Sequence, residues 1–265
     1  LKRRIREAAA AALAANPAAL ITSDSPEFCL RVAGIVKAGN QGLRTIHYVA
    51  PSVWAWRPGR AAKMARVIDH VLALLPFEPP YMTAAGMSCD FVGHPVVSEP
   101  LATPAEVALM AGPSPLILAL PGSRRGEVTR LAPVIGDVLA QIKAVHPTAR
   151  IALPTVRGVA QLVRDLSADW PIQPQIIQDP SLKRAAFALA DVAIAASGTV
   201  SLELAANNCP MVIAYDMLNL LANPQAQDAA MQLTMERLGK GGEPPGLRAA
   251  KSVLGALPPL QLPKI

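Results

Sequence analysis

From end to end, short apolar runs alternate with stretches in which apolar residues recur every third or fourth position. Runs bounded by Gly, Pro, Asn or Asp predict strands, and the three-four spacing predicts helices with one buried face. Strands are predicted at 19–22, 45–49, 70–75, 89–92, 116–120, 150–153, 175–178, 192–195 and 211–215. After the first of them, Phe28, Val32, Ile35 and Val36 share one face of a helix over 26–37 that stops at Gly39. Ser25 is placed to cap it, Pro26 takes the first helical position, and Glu27 favours the positive end of the dipole. Val128, Leu131, Ile135, Val138, Ile142 and Val145 form a longer stripe, which Pro133 either kinks or delays to a start near Leu131. An alanine-rich helix opens the chain, a basic one follows Pro58, and a short one lies near Tyr81. The pattern after Asp216 is helical, with a Gly239-Lys-Gly-Gly turn.

Strand-helix alternation with short connections predicts an α/β fold of parallel sheets covered by helices. The strands fall into two clusters joined around Pro95–Pro104, which predicts two Rossmann-like domains facing a cleft. The boundaries expected are 1–98, 99–217 and a helical tail over 218–265. Hydrophobic residues make up 52% of the 265 and charged residues 17%, so disorder is excluded as the default state. No apolar stretch reaches the roughly 18 residues of a spanning helix. Leu1-Lys-Arg-Arg-Ile-Arg6 leads into a helix without the apolar core of a secretion signal, so a cytoplasmic chain is expected. The 3 cysteines, Cys29, Cys89 and Cys209, are widely spaced in apolar surroundings, which fits buried thiols in a reducing compartment. His47, His70, His94 and His146 show no metal-ligand spacing, so neither metal nor cofactor is expected; His94, in Gly-His-Pro, is read as shaping the interdomain connection. A net charge of +6 suits an anionic partner, and with 4% aromatic residues nucleic acid is the weakest candidate.

The chemistry concentrates where strands end. Leu118-Ala-Leu-Pro-Gly-Ser-Arg-Arg-Gly-Glu127 runs from an apolar strand through a glycine turn into a helix. Backbone N–H groups at such a turn, here Gly122-Ser123, and at the helix start point at a phosphate, and the glycine lets it approach closely. Arg124 or Arg125 adds a planar cationic fork that grips phosphate oxygens bidentately. This is neither a Walker loop nor a GxGxxG fingerprint, and Pro-Gly-Ser is also a common turn. Two other polar clusters, Asp24-Ser-Pro-Glu27 and Ser197-Gly-Thr199, also follow strands. Ligands of open parallel sheets bind beyond those ends, so a cleft would bring the three together.

Several segments resemble one family. Ile46-His-Tyr-Val-Ala-Pro-Ser-Val-Trp-Ala-Trp-Arg-Pro-Gly-Arg60 looks like the signature of lipid-A-disaccharide synthases. So do Leu75-Pro-Phe-Glu78, Phe91-Val-Gly-His-Pro95, Leu120-Pro-Gly-Ser-Arg124 and Ala196-Ser-Gly-Thr-Val-Ser-Leu-Glu203. The resemblance covers most of 18–217 and implies the two-domain GT-B fold, with the acceptor side in the first domain and the sugar nucleotide in the second. It implies a hexosyltransferase that joins UDP-2,3-diacylglucosamine to 2,3-diacylglucosamine 1-phosphate with inversion and releases UDP. Nothing here corresponds to the family's opening strand and glycine-rich loop, and after Met217 the sequence jumps to what resembles its late helices. Those departures keep open a nucleotide-binding remnant without transferase activity. Another GT-B enzyme, such as a UDP-N-acetylglucosamine transferase or epimerase, is the third reading, against which the Trp54-Ala-Trp-Arg57 block stands.

Carried onto single residues, the resemblance makes Asp24 the carboxylate that takes the acceptor hydroxyl's proton; its simpler reading is a strand terminator. Arg124 would stabilise the departing diphosphate, and Arg125 reads as a surface residue. Ser197, Gly198 and Thr199 would contact the nucleotide, and Glu203, one turn on, would bind ribose hydroxyls or merely face solvent. Trp54 and Trp56, at i, i+2 in a stretch read as extended, face the same way and suit an acyl groove or a membrane, with simple core packing the plainer reading for at least one. Arg57, Arg60, Lys63 and Arg66 recur every third position, as an acceptor-phosphate or anionic-leaflet contact or as a solvated face. Donor, acceptor and an anionic inner-membrane surface are thus the expected partners, with peripheral attachment and a homo-oligomer allowed.

Overall fold

A computed structural model describes residues 1–54, 59–196, 198–214, 232–233 and 235–256. The chain divides into two compact units, Leu1–Ser98 with Arg237–Ile265, and Glu99–Glu236.

In the first unit, α1 (Lys2–Ala14) precedes β1 (Ala19–Ser23), α2 (Pro26–Gly39), β2 (Arg44–Tyr48), α3 (Gly59–Met64), β3 (His70–Ala73), α4 (Pro79–Ala84) and β4 (Ser88–Phe91). The strands pair in parallel in the order β1-β2-β3-β4. β3 is buried throughout, as a strand covered on both faces must be. Ala33, Met64, Ile68, Val71 and Met82 form one core cluster. Ile5 and Ala9 of α1 pack with Val32 and Val36 of α2 in another. Ser25 does not cap α2 with its side chain. Its φ of 40° is left-handed, whereas a capping hydroxyl needs an extended backbone, and its carbonyl instead accepts from Phe28 and Cys29.

The helix near the end of the chain returns to this unit. Ala249 and Val253 of α10 (Pro245–Ala256) pack against Ile46, Leu72 and Val92. Arg248 donates to the Phe91 carbonyl at 2.5 Å, with its guanidinium 4.5 Å from that ring's centre. His70 Nε2 lies 2.8 Å from the Ser252 hydroxyl. The tail is read from sequence as helical; its docking partner had no sequence signal.

In the second unit, α5 (Pro104–Met110), β5 (Leu116–Leu120), α6 (Arg125–Val145), β6 (Arg150–Pro154), α7 (Ala160–Ser167), β7 (Pro174–Ile177), α8 (Pro180–Leu189), β8 (Val192–Ala196), α9 (Val200–Ala206) and β9 (Met211–Ala214) follow in turn. The parallel order is β7-β6-β5-β8-β9. The first strand in sequence, β5, lies in the middle with every residue buried, and successive strands extend the sheet first one way and then the other. Its direction of growth therefore reverses between β5 and β8. All nine strands expected from the pattern are present among the described residues. α6 runs unbroken through Pro133, so the reading that it starts near Leu131 fails. One lost N–H is outweighed by burial of Val128, Ala132, Ile135 and Leu139 against β5 and β6. α5 escaped the pattern, though Thr103-Pro-Ala-Glu106 is a capping box that marks its start.

Candidate functional site

A cavity of about 780 Å³ opens in the second unit beyond the carboxyl ends of β5, β6, β7 and β8. This is the switch point at which open α/β sheets hold their ligands. Gly122, Ser123 and Arg124 line it from the turn after β5, and Gly198 and Thr199 from the turn after β8. Glu203 reaches it from α9. Six residues singled out from sequence are thus brought to one hollow; Ser197 lies outside the described residues.

The first turn is built around a carboxylate. Glu127, one turn into α6, accepts from the amides of Ser123 at 3.1 Å and Arg124 at 3.2 Å. It also accepts from Arg124 Nη1 at 2.6 Å. The Arg124 guanidinium first, then the two amides, hold its carboxyl below the usual carboxylate range. Gly122 has φ 116°, and a Cβ there would stand 2.6 Å from the Glu127 Cβ, so only glycine fits this turn. Across the cavity, Glu203 is paired at 2.5 Å with Lys183 of α8, whose ammonium lies 5.3 Å from the centre of the Phe187 ring. Sequence reasoning missed Lys183, Thr155, Arg157 and Gln178, which also line the hollow. The rule that placed the other clusters at strand ends, applied to β6 and β7, would have found the last three.

In the first unit, Asp24 follows β1 and is exposed, its N–H donating to the Tyr48 carbonyl at 3.2 Å. Asp24 has φ 53°, Ser25 φ 40° and Val49, after β2, φ 82°. Left-handed backbone is an outlier for a β-branched residue such as Val49, and each such residue costs on the order of 1–3 kcal/mol. Strain of this kind gathers at functional sites, here at the carboxyl ends of adjacent strands. Beneath it, His47 is buried, with Nδ1 2.8 Å from the Thr22 hydroxyl, and burial pushes its pKa down to about 4 against the opposing pull of Asp24.

Trp54 lies in a turn rather than in the extended stretch read from the sequence. Trp56 and Arg57 lie outside the described residues. Trp54 is half-exposed, meets Phe77 edge-on at 5.1 Å, and donates to Glu78. Glu78 is buried and also accepts from the amides of Leu74 and Leu75 at 3.1 and 2.9 Å. Burial nonetheless pushes its pKa up. The Leu75-Pro-Phe-Glu78 segment thus ties the end of β3 to the Trp54 turn. Arg60 opens α3 half-buried, while Lys63 and Arg66 are exposed. Among the described residues, no helix is long and apolar enough to cross a membrane.

Residues 1–222 match the family model described as lipid-A-disaccharide synthetase. A lipid-A-disaccharide synthase of Ruegeria pomeroyi is 53% identical over 317 positions, covering 97% of this chain and 79% of that relative. That alignment is longer than the 265 residues available, so the relative carries residues with no counterpart here. The enzyme of the same name from Rhodospirillum centenum is 43% identical, over 81% of this chain and 55% of its own length. For one from Rhodopseudomonas palustris the identity is 46%, over 80% of this chain and 55% of that protein. Among solved structures, a putative UDP-N-acetylglucosamine 2-epimerase from Listeria monocytogenes matches with TM-score 0.62 at 13% identity, over 96% of this chain and 78% of that one. The Methanocaldococcus jannaschii epimerase in complex with UDP-GlcNAc and UDP matches with TM-score 0.61 at 14% identity, over 95% of this chain and 79% of that one. At such identities these structures speak for the fold alone, two parallel-sheet α/β domains of the GT-B type. By its sequence relatives and its family model, the chain belongs to the lipid-A-disaccharide synthase family.

Proposed function

We propose that the protein is an inverting hexosyltransferase that joins UDP-2,3-diacylglucosamine to 2,3-diacylglucosamine 1-phosphate and releases UDP. The observation that carries this reading is the switch-point cavity, at which the Gly122-Ser123-Arg124 turn and the Gly198-Thr199 turn meet in a member of this family. The acceptor hydroxyl oxygen attacks the anomeric carbon from the face opposite the nucleotide. The bond from that carbon to the diphosphate oxygen breaks, its electron pair leaves with UDP, and the hydroxyl proton passes to the Asp24 carboxylate. Arg124 and the amides at the two helix starts meet the charge that develops on the diphosphate, which needs no metal. Glu203 accepts from the ribose hydroxyls. The strained backbone at Asp24 supports a chemical rather than a merely structural role for that residue.

Purified protein given donor and acceptor is expected to form the disaccharide phosphate and UDP in equal amounts. Arg124→Ala is expected to lower kcat about 10²–10³-fold. Asp24→Asn is expected to lower it about 10²–10⁴-fold. Absence of product above the Arg124→Ala background would refute the reading, and UDP binding without turnover would point instead to a nucleotide-binding remnant.

A further inference from the structure

The charges in the second unit's cavity are unevenly committed. Arg124 is paired with Glu127 and Lys183 with Glu203, so two cations and two carboxylates neutralise one another. Arg157, on the exposed loop after β6, is the remaining charged residue in the lining. Among the described residues it has no hydrogen-bond or ion-pair partner. A diphosphate that entered would find the amides of Ser123 and Arg124 and one edge of the Arg124 guanidinium already occupied by Glu127. To use them it must first displace a carboxylate, whereas the Arg157 guanidinium offers its donors with nothing to break. Its loop places no obstacle in the way, since Gly158 has open space around it and Val156 is exposed.

We propose that Arg157 is the residue that holds the nucleotide's diphosphate in the bound ground state. Arg124 engages fully only when charge building on the leaving oxygens competes with Glu127 for it. This rests on the reading that the cavity takes a uridine diphosphate sugar, and it assigns the two arginines to different stages of the reaction. Loss of Arg157 therefore raises the donor KM with little effect on kcat, and loss of Arg124 lowers kcat.

Titration calorimetry of UDP and of uridine against the wild-type chain and Arg157→Met tests it, followed by donor and acceptor KM values. The expected result is UDP binding weakened about 10- to 100-fold with uridine binding unchanged. The dependence of UDP affinity on salt should fall as well. Uridine is the control for folding, because a collapsed cavity loses both ligands. UDP and uridine affinities unchanged, or lowered together, would overturn the assignment, as would a rise confined to the acceptor KM, which would place Arg157 on the acceptor's phosphate. A wild-type chain that binds no UDP would instead refute the nucleotide reading itself.

Discussion

Gly122 shows how tightly the phosphate turn is drawn. Gly122→Ala must fit a Cβ at 2.6 Å from Glu127 while holding φ 116°, so either the turn unwinds or Glu127 swings out of it. The expected outcome is a loss of about 1–3 kcal/mol, read from urea unfolding followed by Trp170 fluorescence. The six cavity residues taken from the sequence were legible because each belongs to a local strand-turn-helix pattern whose chemistry is set within a few residues. Lys183 was not, since its pairing with Glu203 joins two helices 20 residues apart. The side-chain cap assigned to Ser25 went wrong for a local reason, a left-handed backbone that sequence periodicity does not encode.

At the scale of elements, α6 carries two departures from good helix chemistry beyond its first turn, Pro133 and Gly136, and packing accounts for the second. A Cβ on Gly136 would stand 2.9 Å from the indole of Trp170, which is buried and cannot swing away. Alanine would gain roughly 1 kcal/mol of helix propensity. Against that, overpacking a filled core costs about 1–3 kcal/mol. Gly136→Ala is therefore expected to lower the thermal midpoint of the second unit, and the double variant Gly136→Ala/Trp170→Phe to recover part of it; a stabilised single variant would refute this. The apolar stripe located α6, but Val145, read as part of its buried face, is exposed as the last residue of the helix.

At the scale of the whole molecule, acid should begin to act on the first unit at a higher pH than on the second. His47, His70 and His94, all in the first unit, have pKa values pushed down by burial, His47 from 6.5 to about 4. The unfolded chain then binds more protons than the folded one below about pH 6.5. The histidines' contribution to stability is complete above that value and is lost as pH falls towards 4. In the second unit the depressed groups are carboxylates, Glu106 held down to about 2 by Arg184, and Glu127 by Arg124. Their contribution persists until pH falls below the ordinary carboxylate value of 4.5. In a Trp170→Phe chain, the remaining tryptophans, Trp54 and Trp56, report on the first unit. Their urea midpoint should drop between pH 7 and 5, and His47→Gln should flatten that slope; a midpoint independent of pH over this range would contradict it.

The sequence by itself determined the strands, their parallel sense, the existence of two α/β units and the turns that carry the phosphate chemistry. All of these follow from periodicity of 2 or 3.6 residues and from turn residues acting on their neighbours, which are short-range physics. Tertiary structure decided which turns share a hollow, which carboxylate occupies which cation, and where α10 docks. Each of these depends on strand order and on contacts between residues distant in the chain, as when Ser252 meets His70 across 182 positions. No local pattern carries that information, and the contrast between a committed Arg124 and an uncommitted Arg157 exists only once the fold has brought their partners in.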